Sequence, residues 1–213
     1  MTRDEVLKTL AQVGIIPVVR AKSAAVLADL AKALIAGGIP IAEVTLTVPG
    51  AIDGIRALKA RFGKGLLVGV GSVTDARQAE DAMAAGAEFV VSPVTVPEVI
   101  DAARRRDTAV IPGAFTPTEI FHAWQLGADL VKVFPASVGG PAYFKAILAP
   151  MPFLKLMPTG GVDLETAGAF IKAGAVALGA GNALIDPKAV EKGDWTTITD
   201  LACRFRDEVR KAR

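Results

Sequence analysis

A lysine in the middle of an apolar segment is the first residue of this chain that could do chemistry. Lys132 stands between Val131 and Val133, and Pro135 ends the run, a pattern that predicts a buried strand. Burial disfavours the charged form of an amine, so a lysine without access to water becomes a neutral nucleophile that can form an imine with a ketone. The alternative is a lysine whose stem packs in the sheet while its ammonium group reaches solvent.

Glu43 is a second ionisable residue on a predicted strand. Polar and apolar residues alternate over residues 43–47, which places Glu43, Thr45 and Thr47 on one face, toward the interior of the fold. A carboxylate in such an interior needs either a cationic partner or a role in proton transfer. An imine-forming lysine beside a proton-moving carboxylate can break or form a carbon–carbon bond. A purely structural ion pair of Glu43 with Arg20 or Lys132 is the alternative.

Two further polar residues follow predicted strands. Arg20 ends the first strand, and its planar guanidinium group suits a carboxylate. Ser72 follows the third strand, where its hydroxyl group either holds a substrate oxygen or caps the next helix together with Thr74. Both residues are therefore candidates for substrate binding.

Glycine-rich turns follow the last two predicted strands. Gly160 and Gly161 come after the seventh strand, and Gly181 and Asn182 come after the eighth. Glycine lets backbone N–H groups approach an anion closely, and these are the two turns at which barrel enzymes often bind phosphate. We expect a phosphate site here, with plain tight turns as the alternative.

The elements that must position these residues alternate regularly along the chain. A short N-terminal helix, with Thr2 as its possible N-cap and Gly14 after its end, precedes eight strand–helix units, and Thr116 is the expected N-cap of the helix over residues 117–126. The strands are predicted at residues 15–20, 41–47, 66–73, 87–93, 108–113, 130–136, 155–159 and 175–179. This pattern predicts the α/β class and a single (β/α)8 TIM barrel over residues 1–213, with an extra N-terminal helix. A doubly wound open sheet is the alternative.

Composition excludes several classes of function. The 213 residues contain 24 Lys and Arg against 22 Asp and Glu, a net charge of +2 without a basic cluster, which argues against a nucleic-acid partner. One histidine, His122, is too few for a histidine-ligated metal site, so we expect neither metal nor cofactor. Without a signal peptide or a membrane-length apolar run, and with Cys203 as the one cysteine, we expect a cytoplasmic protein without a membrane partner.

Over nearly its whole length the chain resembles the 2-keto-3-deoxy-6-phosphogluconate (KDPG) aldolases and the related 4-hydroxy-2-oxoglutarate (KHG) aldolases. The segments that carry the resemblance are 15–20, 43–47, 69–73, 91–93, 111–113, 132–136 and 158–162. The resemblance implies a class I aldolase that cleaves KDPG to pyruvate and glyceraldehyde 3-phosphate, and KHG to pyruvate and glyoxylate. It also implies a keto-acid phosphate as the small-molecule partner and a homotrimer.

The same resemblance implies roles for individual residues. The Schiff-base lysine of the family falls on Lys132 and its general acid/base on Glu43. At the pyruvyl end, the resemblance implies contact of Ser72 with the carboxylate, and it places Pro93 and Phe134 beside the pyruvyl group. It implies contact of Thr159 with the part of the sugar that distinguishes epimers. The residues implied to bind the phosphate are Gly160, Gly161, Gly181 and Asn182.

This chain departs from the family pattern at two positions. Some members have an arginine that binds the substrate carboxylate where this chain has Thr47, and we expect Arg20 on the neighbouring strand to supply that cation instead. Asn182 stands where serine is frequent, so KHG, which carries no phosphate, stays a candidate substrate. The alternatives are a phosphosugar isomerase on the same barrel, which would use Glu43 without an imine, and a catalytically idle assembly subunit.

Overall fold

The computed structural model describes all of residues 1–213 and consists of alternating strands and helices. The strands are β1 (Ile15–Val19), β2 (Ile41–Thr45), β3 (Leu67–Gly71), β4 (Phe89–Val91), β5 (Ala109–Ile111), β6 (Gly113–Ala114), β7 (Val131–Val133), β8 (Leu156–Pro158) and β9 (Leu178–Ala180). The helices are α1 (Arg3–Val13), α2 (Leu27–Ala36), α3 (Ala51–Phe62), α4 (Ala76–Ala84), α5 (Pro97–Arg105), α6 (Pro117–Gln125), α7 (Gly140–Leu148), α8 (Ala167–Lys172), α9 (Pro187–Lys192) and α10 (Trp195–Ala212).

Local capping signals explain where several helices begin and end. Thr2 and Glu5 form a reciprocal capping box at the start of α1, and Gly14 ends the helix in the left-handed conformation with φ 73°. Thr116 and Glu119 form the same box at the start of α6, which Pro117 opens. The predicted caps Thr2 and Thr116 are therefore confirmed, because a cap depends on residues that are adjacent in sequence.

The strands form two parallel sheets, so the predicted closed eight-stranded TIM barrel is wrong. The first sheet has six strands in the order β5-β4-β3-β2-β1-β9, and the second has three in the order β6-β7-β8. Within the first sheet, β1 to β5 are neighbours in chain order without the reversal that defines a doubly wound sheet, so that alternative is not observed either.

The two sheets separate from each other at two places. Proline has no backbone N–H, and Pro112 divides the predicted fifth strand, 108–113, into β5 of the first sheet and β6 of the second. At the other edge, a single parallel bridge between Thr159 and Gly179 replaces a ladder between β8 and β9. The sheets therefore meet at both edges without one continuous ladder, and they enclose a shared interior.

A side chain ties the two sheets together at the β5 edge. The Asp129 carboxylate, just before β7, accepts a hydrogen bond from the Val110 N–H of β5 at 2.9 Å. It also accepts one from Arg3 Nε of α1 at 3.0 Å, and Asp129 is buried. Since the backbone ladder is interrupted here, this carboxylate links the strand that carries Lys132 to the first sheet and to α1.

One continuous apolar cluster fills the space between the sheets and the helices. It contains 67 buried residues and draws on every strand, with Ala114 as the contribution of β6. None of the helices combines the length and the apolar character that crossing a membrane requires.

Candidate active site

Lys132 occupies the central position of β7, with β6 and β8 on either side. It is paired with Gly113 on one neighbour and Met157 on the other, and it is only 5% exposed. The Nζ atom lies 5.3 Å from the centroid of the Phe134 ring. The side chain thus lies within the fold and not along its outer surface.

Burial lowers the pKa of the Lys132 amine below its ordinary value of 10.5. The charge of Glu43 opposes this effect, and the charge of Arg20 adds to it. The neutral amine is consequently favoured at a lower pH than in a free lysine, and the neutral amine is the form that attacks a carbonyl carbon.

Glu43 lies on β2 in the first sheet and is 1% exposed. Its Oε1 atom lies so close to Gly71 of β3 that a Cβ atom at position 71 would overlap it. Neither carboxylate oxygen has a hydrogen-bond partner in the protein, so the structural ion pair considered for Glu43 is not formed. Burial raises the pKa of the Glu43 carboxyl group, although the charges of Lys132 and Arg20 act in the opposite direction.

Of the other two polar residues predicted on the interior face of the second strand, Thr45 is buried and Thr47 is not. Thr45 is buried, and its hydroxyl group donates to the Val19 carbonyl at 3.0 Å. The strand ends at Thr45, and Thr47 is exposed. The hydroxyl oxygens of the two threonines lie 2.7 Å apart. The placement of Thr47 on the interior face was therefore wrong, because period two holds only while the strand continues.

A cavity of about 320 Å³ lies where the turns after four strands meet, and it is called the main cavity because both predicted phosphate turns border it. It is lined by Val18, Arg20, Phe134, Thr159, Gly160, Gly161, Val162, Asp163, Gly181, Asn182 and Ala183. Both glycine turns predicted to bind phosphate thus border one cavity. Gly160 and Gly161 have φ values of 86° and 77°, in the left-handed region that glycine adopts without strain.

The lining of this cavity contains one residue of each charge, and only the cation is free of polar contacts within the protein. Arg20 is the only cationic residue in its lining, and Asp163 is the only anionic one. The Asp163 carboxylate accepts hydrogen bonds from the Thr166 N–H at 2.8 Å and the Glu165 N–H at 3.0 Å, so it is engaged by the turn that leads into α8. The cavity therefore offers an anionic ligand one free cation and several backbone N–H groups.

Thr159 connects the cavity to the buried interior. It is 5% exposed, its Oγ1 atom has no hydrogen-bond partner, and a Cβ atom on the adjoining Gly179 would overlap that oxygen. A buried hydroxyl group without a partner is uncommon in folded proteins, because its desolvation is not compensated. Thr159 thus has a free donor and acceptor at the inner end of the cavity.

Three predicted binding residues lie outside the main cavity. Ser72 follows β3 with φ 61°, and Asp75, whose carboxylate accepts from the Gln78 N–H, is the actual cap of α4. Thr47 borders a neighbouring groove of about 340 Å³ together with Arg20. Pro93 lines a cavity of about 540 Å³ that Phe134 also borders.

Sequence reasoning missed several residues of the site. Val18, Val162, Asp163 and Ala183 line the main cavity without having been predicted there. Val18 lies on β1, two positions before Arg20, which follows the strand, so period two could have identified it. Ser92 is fully buried after β4 with an unpartnered hydroxyl group, and nothing in its local pattern distinguishes it from a turn serine.

The sequence is similar to those of known aldolases over most of its length. A family model described as KDPG and KHG aldolase matches residues 5–201. The 2-dehydro-3-deoxy-phosphogluconate aldolase of Pseudoalteromonas atlantica is 37% identical over 88% of this chain and 87% of its own length. The KHG/KDPG aldolase of Escherichia coli (strain K12) is 33% identical over 88% of both chains.

A solved structure extends the similarity to the fold. The KDPG aldolase of Legionella pneumophila, with pyruvate captured at low pH as a covalent carbinolamine intermediate, superposes with a TM-score of 0.87. It is 32% identical, and the match covers 93% of this chain and 96% of the other.

The fold, the buried amine and carboxyl group, and these similarities define an aldolase, an enzyme of the aldehyde-lyase class. The chain belongs to the KDPG and KHG aldolase family, and of the two substrates that give the family its name, KDPG is a keto-acid phosphate.

Proposed function

We propose that this enzyme cleaves KDPG to pyruvate and glyceraldehyde 3-phosphate through a Schiff base on Lys132. The observation that carries the proposal is a buried amine of lowered pKa that shares an interior with a buried carboxyl group of raised pKa. Two titratable groups whose environments shift their pKa values from the ordinary ones are typical of acid/base assignments in active sites. The covalent carbinolamine of pyruvate in the Legionella relative supports the same chemistry here.

The proposed reaction begins with attack of Lys132 Nζ on the C2 ketone. The resulting carbinolamine loses water and becomes a protonated imine, which acts as an electron sink. Glu43, through a water molecule, removes the proton of the C4 hydroxyl group; the C3–C4 bond breaks, its electron pair forms the enamine, and glyceraldehyde 3-phosphate leaves. Glu43 then returns a proton to C3, and hydrolysis of the imine releases pyruvate and the free amine.

The proposed binding mode uses both ends of the substrate. Backbone N–H groups of the two glycine turns (Gly160, Gly161, Gly181 and Asn182) hold the phosphate, and their position around one cavity supports this assignment. At the inner end, the free hydroxyl group of Thr159 contacts the substrate between its two charged ends and discriminates epimers. Ser72 binds the pyruvyl carboxylate, while Phe134 and Pro93 flank the pyruvyl group.

A second substrate follows from the shared part of the two molecules. KDPG and KHG both yield pyruvate, so the steps at Lys132 and Glu43 are the same for both. We propose that the enzyme also cleaves KHG to pyruvate and glyoxylate, and the name of the Escherichia coli relative supports this activity. Comparison of kcat/KM for KDPG and KHG measures how much the phosphate contributes.

Borohydride reduction in the presence of pyruvate tests the proposed mechanism. We expect a covalent adduct on the peptide that contains Lys132, together with release of pyruvate from KDPG. Isomerisation of a phosphosugar without any adduct would instead support the isomerase alternative, and absence of both activities would support the idle subunit.

We also propose a homotrimer, in keeping with the family resemblance. Val94 and Phe134 are exposed apolar side chains that border the same 540 Å³ cavity, and such a surface is typical of a protein interface. Light scattering should give three times the mass of one chain. A Val94→Glu variant should dissociate, and a monomeric wild type would contradict the proposal.

A further inference from the structure

The negative charge of the substrate phosphate needs a cation, which the glycine turns do not supply. A phosphate monoester carries close to two negative charges at neutral pH. Backbone N–H groups of the glycine turns supply partial charges only, and the one anionic residue of the cavity, Asp163, is engaged with the start of α8. Arg20 is the only full positive charge in the lining, so its position decides how the phosphate is neutralised.

The topology of the first sheet places Arg20 beside the phosphate turns. Strand β1 pairs with β9 in parallel, with Pro17 opposite Ala180, so the residues that follow these two strands are neighbours. The Nη1 atom of Arg20 accordingly lies 3.9 Å from the point that a Cβ atom on Gly181 would occupy. The candidate for the pyruvyl carboxylate, Ser72, follows β3, which β2 separates from β1.

The guanidinium group of Arg20 is available for a ligand. Arg20 takes part in no ion pair and in no side-chain hydrogen bond within the protein, and its side chain is exposed at the mouth of the cavity. The nearby cation Lys22 is paired with Glu191 instead. A ligand therefore recruits Arg20 without breaking an existing contact.

We propose that Arg20 determines specificity by binding the phosphate group of the substrate above the Gly181 turn, and not the pyruvyl carboxylate. The proposal rests on the aldolase function proposed above. A guanidinium group presents paired N–H donors that match two phosphate oxygens. In this chain the cation expected to replace the family arginine at position 47 therefore serves the opposite end of the substrate.

Two Arg20 variants and one matched control test the proposal. Arg20→Met removes the charge, Arg20→Lys keeps a point charge without the fork, and Lys22→Met removes a neighbouring rim cation that does not line the main cavity. Three quantities are measured: kcat/KM for KDPG, kcat/KM for its dephosphorylated counterpart 2-keto-3-deoxygluconate, and the pyruvate concentration that half-saturates borohydride trapping. Competitive inhibition by inorganic phosphate provides a readout that does not depend on turnover of the shorter substrate.

Arg20→Met should lower kcat/KM for KDPG by about 10- to 100-fold, the range expected for loss of a charged hydrogen bond. It should weaken phosphate inhibition in parallel. Pyruvate trapping and cleavage of the dephosphorylated substrate should change far less, because at Lys132 only the smallest of the three effects on its pKa, the Arg20 charge, is lost. Arg20→Lys should recover part of the loss, and Lys22→Met should match the wild type.

Two outcomes overturn the proposal. A higher half-saturating concentration of pyruvate, with equal losses for both sugar acids, would place Arg20 at the carboxylate. Unchanged kinetics and unchanged phosphate inhibition would remove Arg20 from the substrate site altogether. If the wild type forms no pyruvate adduct, the aldolase mechanism fails, and phosphate titration of Arg20→Met against wild type still decides whether Arg20 binds phosphate.

Discussion

Glu43 and Lys132 are buried in the same interior, and no hydrogen bond joins them, since both oxygens of Glu43 lack a partner. Each group nevertheless affects the pKa of the other through its charge. Burial dominates at both residues, raising the pKa of the acid and lowering that of the base, which favours an uncharged pair. The protein thus maintains two polar groups whose burial opposes folding, and such groups are typical of active sites.

Replacement of Lys132 by methionine should abolish pyruvate trapping and KDPG cleavage while making the protein more stable at neutral pH. Methionine fills a similar volume and does not have to lose a proton or a hydration shell on folding. The measurement is chemical denaturation of wild type and Lys132→Met at pH 7. A variant less stable than the wild type would show that the lysine contributes favourably to the fold.

The pH dependence of stability provides a separate check on Lys132. Its folded pKa lies below 10.5, so between these two values the unfolded chain binds more protons than the folded chain. The contribution of Lys132 to the free energy of unfolding therefore rises with pH across this window and levels off above 10.5. Because Lys132→Met lacks this contribution, its advantage over the wild type should shrink as the pH is raised toward 10.5.

Glu43→Gln should separate proton transfer from imine formation. Glutamine keeps the shape of the side chain but cannot exchange a proton, so kcat for KDPG should fall by about 10²- to 10⁴-fold, the range for general acid/base catalysis. Pyruvate should still be trapped on Lys132 by borohydride. Exchange of the pyruvate methyl protons with deuterated water, followed by NMR, should be lost, and exchange at the wild-type rate would exclude Glu43 as the acid/base.

Local signals in the sequence were sufficient for the elements but not for their assembly. The caps Thr2 and Thr116 and the termination of α1 at Gly14 depend on near neighbours and were predicted correctly. The division of the sheet at Pro112 was not predicted, because the apolar residues before the proline favour one strand and the effect of the missing N–H depends on how the strands pair. Helix α9, with six residues, was not among the predicted elements.

In the site, the sequence pattern predicted which strand residues are buried, but it did not predict the positions of residues beyond the strand ends. Burial of Glu43 followed from alternation within its strand, and burial of Lys132 followed from the apolar residues on either side of it. The position of Thr47 did not, because the strand ends at Thr45 and the chain then leaves the sheet. That Arg20 borders the same cavity as Gly181 depends on the pairing of β1 with β9, which are more than 150 positions apart, so only the folded chain reveals it.

The Asp129 carboxylate should contribute substantially to stability. Asp129→Ala leaves the Arg3 guanidinium group and the Val110 N–H without their acceptor in a buried setting, which should cost about 2–4 kcal/mol in urea denaturation. The exposed pair of Arg56 with Asp53 is the control, and Asp53→Ala should cost at most about 0.5 kcal/mol. Equal losses in the two variants would show that Asp129 does not tie the sheets together.

Gly71→Ala should impair catalysis although neither catalytic residue is substituted. The new Cβ atom would overlap Glu43 Oε1, and β3 cannot retreat, because it is paired with β2 on one side and β4 on the other. The Glu43 side chain must therefore move, and a displacement of about 1 Å in a catalytic group lowers the rate by about 100-fold. Steady-state kinetics with KDPG measure this loss, while trapping of pyruvate on Lys132 should persist.

Gly65→Ala is the matched control, since a Cβ atom there meets no neighbour within 4 Å and kcat should not change. Wild-type turnover in Gly71→Ala would mean that the carboxylate does not act from the position in which it packs against Gly71.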